Sequence, residues 1–397
     1  MNDTKAVIVD YVRTPFTKAA PPSWGKAPGK LAAVNPVDMQ VPLINALLER
    51  TGIDPKHVRK VLTGCVHQEG SQGANIARMN MLHGKCNLPH SVTGTTLDMF
   101  CASSMEAITF ADALSARNPE DVYIVTGVQS MSQVEMGGFN PMFSEDVLNS
   151  NPANFLSMGN TAENLVDIYD ITRKEQDAFA VSSHKKMAEA QGRGHFDSEI
   201  VPINGISQDD GVRADSTVEG AGRLKGAFKN GGSITAANSS QVTDGASAVM
   251  VTSGAFAKEN NLPVKAVILS TGETGLAPMV MGLGPVEASN EALRKANLTM
   301  DDIDAIEVNE AFAAQVLACV KEWDKQGVRI DMDKVNVDGG AIAIGHPFGA
   351  TGARMIGHLS ETLNRENKRY GLATLCIGGG QGKAVVIENP NYRGPSL

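Results

Sequence analysis

Two cysteines, a histidine and an asparagine stand beside runs of small residues, where side chains can reach a bound molecule. Cys101 follows the strand-like Val92 to Leu97 and precedes a stretch in which Met105, Ile108 and Asp112 recur with helical period. The positive end of a helix dipole there favours a thiolate, so the position predicts a lowered thiol pKa. Ala102, Ser103 and Ser104 leave room for a substrate. His346 lies in a loop from Gly339 to Gly352 whose glycines permit close backbone approach to a ligand. Cys376 ends the apolar run Leu372 to Leu375 and opens Ile377-Gly378-Gly379-Gly380-Gln381-Gly382, a setting suited to acid/base work. That loop is not read as a dinucleotide site, because Lys383 to Glu388 has a strand pattern where such a site needs a helix. Asn309 follows the strand-like Ile303 to Val308, where either a helix N-cap or a functional role suits it. Cys65, Cys86 and Cys319 have no comparable setting and read as packing residues.

The elements that position these groups repeat. Ala6 to Val9 resembles Ala266 to Leu269, and the pairs Pro36-Val37 and Pro285-Val286 each open a helix-like stretch. Ile53 to Leu62 then lines up with Leu298 to Glu307, placing Val58 over Ile303 and Val61 over Ile306. Val122 to Val125 corresponds in order to Leu372 to Leu375. The pattern predicts an α/β chain of two similar halves, 1–132 and 262–397, with a loop region at 133–261 between them. By this duplication the His346 loop takes the place of the Cys101 loop, so a Cys–His pair across a pseudo-twofold axis is expected. One helix is expected from Thr172 to Gln191, a surface loop from Ala19 to Pro36, and a kink or early stop at Pro42.

A chain of 397 residues can bury a large core, and 42% hydrophobic with 20% charged residues is ordinary for a globular protein. A net charge of −9 without long runs argues against nucleic acid as a partner, so a polyanionic ligand needs a local basic patch. Arg213, Arg223, Lys225 and Lys229 form such a cluster, either for phosphates or as ordinary solvated surface. The scattered cysteines suggest neither disulfides nor a metal site. The absence of a signal-like start or a membrane-length apolar run leads to the expectation of a cytoplasmic protein.

The Cys101 block, Asn309-Glu310-Ala311-Phe312, Gly345-His346-Pro347 and Cys376-Ile377-Gly378-Gly379-Gly380 occur in the order found in the thiolase family, which the chain resembles over nearly its whole length. The closest likeness is to degradative 3-ketoacyl-CoA thiolases of bacterial fatty-acid oxidation. The resemblance implies a five-layered αβαβα fold, with Cys101 acylated, His346 accepting its proton and Cys376 as the second acid/base. It also implies two oxyanion holes, one of His346 with a water held by Asn309, the other of the backbone amides of Cys101 and Gly378. Ser240, Met158 and Phe312 match residues contacting the pantetheine of coenzyme A, which is a substrate here, with no permanently bound cofactor implied.

Asp98 and Met99 replace a usual Asn-Arg pair, Gly226 a usual proline and Ala237 a usual glycine. The family suggests a homodimer or homotetramer, with a hydratase/dehydrogenase as multienzyme partner. The loop from Gly137 to Asn160 is shorter than in biosynthetic members, with Ser157 in place of a histidine. Phe139, Phe143, Leu148 and Phe155 are expected to line an apolar channel for an acyl tail. The function implied is thiolysis of 3-ketoacyl-CoA. Its rivals are an acetoacetyl-CoA thiolase running as a condensing enzyme and a non-catalytic acyl-CoA-binding protein of the same fold.

Overall fold

The computed structural model describes residues 5–394. Its strands are β1 (Ala6–Arg13), β2 (Thr17–Lys18), β3 (Val58–Gly64), β4 (Thr93–Leu97), β5 (Val122–Ser130), β6 (Thr243–Ser253), β7 (Ala266–Gly275), β8 (Ala305–Val308), β9 (Tyr370–Ile377) and β10 (Gln381–Glu388). The first six helices are α1 (Pro36–Thr51), α2 (Ile76–Leu82), α3 (Ser103–Arg117), α4 (Glu145–Ser150), α5 (Met158–Tyr169) and α6 (Arg173–Gly192). The rest are α7 (Val218–Gly222), α8 (Gly254–Glu259), α9 (Gly284–Ala296), α10 (Ala313–Lys325), α11 (Ala341–Ile344) and α12 (Phe348–Arg365).

The strands hydrogen-bond in the order β4, β3, β5, β6, β1, β7, β10, β9, β8, with β2 against β6. Reading outward from the β1–β7 junction gives β1, β6, β5, β3 on one side and β7, β10, β9, β8 on the other. The junction itself is only two residues deep, Val7 opposite Val267 and Ile8 opposite Ala266. Strand alternation then explains the layers. Val7, Val9 and Val12 of β1 face an outer core with Leu43, Ile44 and Leu47 of α1. Ala6, Ile8 and Tyr11 face a central core with Met105 and Ile108 of α3 and Met355, Ile356 and Leu359 of α12. The same central core takes Ala373, Leu375 and Ile377 of β9 and Val385 and Ile387 of β10. Ala384 and Val386 turn the other way, onto Val286 of α9 and Val316 of α10. Three cores between helices and strands make the five layers.

The central helices approach closely because glycines line their contacts. A Cβ on Gly352 of α12 would lie 2.5 Å from the backbone nitrogen of Met105, and one on Gly127 would lie 2.3 Å from the carbonyl of Gly349. Ser104 Oγ accepts from the Ala353 N–H at 2.9 Å, tying α3 to α12. The two helices therefore start at the same end of the central layer.

Two local expectations change. The stretch after β5 returns to the first half as β6, which pairs with both β1 and β5, so the insertion lies within that half rather than after it. All of β6 is buried, and its Ala, Ser and Val content hides a strand inside a small-residue region. Helix α1 runs through Pro42 for 16 residues, held by its apolar face on the outer core. As expected, a helix follows Thr172, which caps α6 and forms a capping box with Glu175. No helix among the described residues is long and apolar enough to cross a membrane.

Candidate active site

Cys101 sits in a single 3-10 turn, Phe100–Ala102, immediately before α3. Asp98 Oδ1 accepts from the Phe100 N–H at 2.8 Å, and Ser103 Oγ accepts from Met99 N–H at 2.9 Å while donating to the Phe100 carbonyl at 2.6 Å. These bonds hold Phe100 at φ 45°, a left-handed conformation unusual for a bulky side chain. The departure at Asp98 thus has a structural role of its own. The backbone N–H groups of Cys101 and Gly378 act on the Cys101 sulfur to favour its thiolate, and Phe100 Cγ of the same turn lies 4.0 Å from where a Cβ on Gly378 would stand. Gly378 belongs to the turn between β9 and β10, so the two halves each supply one donor.

The expected low thiol pKa does not follow. Burial pushes the Cys101 thiol up to about 11, outweighing the two amides, and the Asp98 carboxylate adds to the rise. A buried thiol of this kind is protonated at neutral pH and needs a base. His346, next to the start of α12, is held neutral: burial lowers its pKa to about 3, with Arg354 contributing. Its tautomer follows from its neighbours. Thr351 Oγ1 donates to the Pro347 carbonyl at 2.9 Å, so it accepts from His346 Nδ1–H at 2.7 Å. Nε2 then carries the lone pair and faces Asn309 Nδ2 at 3.3 Å. Asn309 is no helix cap, because α10 begins at Ala313 with Phe312 in the N-cap place. Its side-chain oxygen is buried without a hydrogen-bond partner among the described residues.

Cys376 lies at the end of β9, fully buried, and packs with Met158, Phe312 and Ala314. Burial raises its thiol pKa well above the ordinary value, and the nearby Cys101 charge raises it further. Gly378, two residues after Cys376, stands against Phe100 of the Cys101 turn, which brings both cysteines to one place. Met158 Sδ lies 3.6 Å from where a Cβ on Gly378 would stand, which puts it beside the Cys101 turn.

The family models described as Thiolase, N-terminal domain and Thiolase, C-terminal domain match residues 6–255 and 262–389. The chain belongs to the thiolase family. It is similar to a 3-ketoacyl-CoA thiolase of Aliivibrio fischeri, 39% identical, with 97% of this chain and 99% of the relative covered. A probable acetyl-CoA acyltransferase of Staphylococcus epidermidis is equally similar, 39% identical with the same coverage. Among solved structures, human mitochondrial 3-ketoacyl-CoA thiolase in complex with CoA matches at TM-score 0.86 and 33% identity, covering 98% of each chain. The acetyl-CoA acetyltransferase of Bacillus anthracis matches at TM-score 0.86 and 37% identity, covering 97% of this chain and 98% of that one. This thiolase is accordingly an acyltransferase.

Ser240 lies farther out, with its N–H bonded to the Ala311 carbonyl at 2.9 Å. It lines a cleft of about 540 Å³ whose walls include Phe228, Trp24 and the cations Lys26, Lys30 and Arg213. Phe228 meets Phe312 edge to face at 5.9 Å. Arg223 is not in that wall; it is exposed at the end of α7, and Arg213 is the arginine that faces the cleft. Lys229 is occupied with Asp167 at 3.0 Å. Phe139, Phe143, Leu148 and Phe155 are 39–55% exposed, so among the described residues they enclose no channel.

Two positioning residues escaped the sequence reading. Buried Glu310 accepts from Ser183 Oγ at 2.7 Å, Asn336 Nδ2 at 2.8 Å and the Ile342 N–H at 3.0 Å, anchoring the loop that carries His346. Thr351 fixes the imidazole tautomer. Glu310 follows Asn309 in the motif already singled out, but its partners lie up to 127 residues away.

Proposed function

We propose that this thiolase cleaves 3-ketoacyl-CoA with coenzyme A, giving acetyl-CoA and a shortened acyl-CoA, as a cytoplasmic enzyme of fatty-acid β-oxidation. The reading is supported by the Cys101 and Gly378 amides acting on the Cys101 sulfur, by the packing of α12, which follows the neutral His346, on the Cys101 turn, and by the His346–Asn309 pair and a second buried thiol. His346 Nε2 takes the Cys101 proton as sulfur attacks the 3-keto carbon. The resulting oxyanion is stabilised by the Cys101 and Gly378 N–H groups. As the C2–C3 bond breaks, the electron pair moves onto the acetyl thioester, whose oxygen can accept from the newly protonated Nε2 and a water held by Asn309. Cys376 delivers its proton to C2, releasing acetyl-CoA. Coenzyme A, whose thiol proton returns to Cys376, then attacks the acyl-Cys101 carbonyl. The collapse regenerates the thiolate, which recovers its proton from His346. Ser240, Met158 and Phe312 line the pantetheine path in this reading, and Arg213 is a better phosphate partner than Arg223.

The degradative direction is supported by the relatives named 3-ketoacyl-CoA thiolase and by Ser157, which caps α5 with its hydroxyl in the place of a histidine. Assembly as a homodimer or homotetramer, and association with a hydratase/dehydrogenase, belong to the same reading. A second chain against the exposed aromatics of 139–155 would complete the acyl channel. Each buried methylene then contributes about 0.8 kcal/mol. Thiolysis assayed over a series of 3-ketoacyl-CoA lengths should give a higher kcat/KM for six carbons and beyond than for acetoacetyl-CoA. A profile peaking at four carbons would refute the degradative direction and favour condensation of acetyl-CoA.

A further inference from the structure

The two amides at the Cys101 sulfur come from opposite halves of the chain, so something must hold α3 and the β9–β10 turn at a fixed separation. A charge cluster centred on a buried lysine joins those two elements. Lys383 lies on β10, three residues after Gly380, paired across strands with Leu375 of β9 and Glu273 of β7. Its neighbours Val385 and Ile387 face the central core while Ala384 and Val386 face outward, so Lys383 points toward the central helices. Its side chain is 0% exposed, and its ammonium meets both Glu106, in the first turn of α3, and Glu273. Glu106 is 20% and Glu273 49% exposed, so a buried ammonium holds two partly solvated carboxylates, and loss of a partner leaves that ammonium short of a counter-charge.

We propose that Lys383 and Glu106 form a positioning clamp that sets the distance between the Cys101 turn and the Gly378 amide. The cations and anions facing this point are Lys383 from β10, Glu106 from α3 and Glu273 from β7, with Asp98 the carboxylate acting on Cys101 from the loop before it. The clamp rests on the acylation role of Cys101, yet its geometry can be read without any CoA substrate. If α3 drifts from the turn, the sulfur loses an N–H donor and the thiolate becomes harder to form.

The test is alkylation of Cys101 by iodoacetamide, followed on the Cys101 peptide by mass spectrometry across the alkaline range, with thiolysis measured in parallel. The double variant Lys383→Met/Glu106→Leu removes one charge of each sign, so its net electrostatic effect on the thiol is small. A buried ion pair replaced as a unit by apolar residues is compatible with folding. Alkylation below the thiol midpoint should slow about tenfold, as for a midpoint one unit higher. Glu106→Gln, which keeps an oxygen acceptor for Lys383, should restore most of that loss. A folded double variant alkylated at the wild-type rate or faster overturns the clamp. Should the double variant not fold, Glu106→Leu alone decides. Removing its negative charge by itself would speed alkylation, so slower alkylation supports the clamp and faster alkylation overturns it. A wild-type protein that alkylates normally but performs no thiolysis would count against the proposed reaction, not against the clamp.

Discussion

Replacing Thr351 with valine preserves its shape and removes the atom that fixes the His346 tautomer. In the native site Nδ1–H has an acceptor 2.7 Å away, and the Thr351 hydroxyl is itself committed to Pro347. In Thr351→Val the imidazole is buried and Nδ1–H has lost that acceptor, which costs about 1–3 kcal/mol. The ring escapes the cost by moving its proton to Nε2, where the Asn309 amide can turn its oxygen to accept. That tautomer leaves Nε2 no lone pair with which to take the Cys101 proton in the proposed reaction. The reactive tautomer is then depleted by about 5- to 150-fold, and acylation of Cys101 should slow by the same factor. Rapid-quench measurement of the acyl-enzyme reads this step directly, with a thermal melt as control for folding. Thr351→Ser keeps the hydroxyl and should acylate within a few-fold of wild type. Acylation at the wild-type rate in Thr351→Val, or equal impairment in Thr351→Ser, would refute the tautomer argument.

Two further outcomes follow from buried titratable groups. Cys376→Ala should still acylate at Cys101 from a simple acyl-CoA yet lose C–C bond cleavage; equal loss of both steps, measured by quench and by thiolysis, would contradict separate roles for the cysteines. His358, bonded to Glu199 at 2.6 Å and Asp338 at 3.1 Å, is raised to about 10 against the burial that would lower it. A folded pKa above the unfolded value of about 6.5 means its stabilisation is complete below about pH 6.5 and is lost as pH rises through about 10. Urea unfolding should find His358→Gln weaker by about 3–5 kcal/mol near pH 6, with the gap closing toward pH 10; a gap independent of pH would exclude a charged His358.

What was legible in the sequence was local and periodic. The apolar runs Ala6 to Val9, Val122 to Val125 and Leu372 to Leu375 read as buried strands and lie within β1, β5 and β9, and the matched halves led to the expectation that the Cys101 and His346 loops would meet. Cys101, His346 and Cys376 stood out as candidates because glycine and small residues beside them mark backbone that can approach a ligand. Long-range burial was not. Nothing local distinguishes Glu310 or Lys383 from surface charges, since their partners arrive from other halves and layers. The thiol pKa of Cys101 was misjudged for the same reason: a helix start is visible in the sequence, whereas the burial that overrides it is a property of the assembled core. The aromatic loop from Phe139 to Phe155 read as a channel because its composition is apolar, but composition does not say whether its cover comes from the same chain.

The central claim is that Cys101 carries the acyl group. Mixing the protein with a 3-ketoacyl-CoA in the absence of free coenzyme A, quenching, and mapping peptides by mass spectrometry should find the shortened acyl chain on Cys101. An acyl group on another residue, or thiolysis retained in Cys101→Ala, would contradict the account.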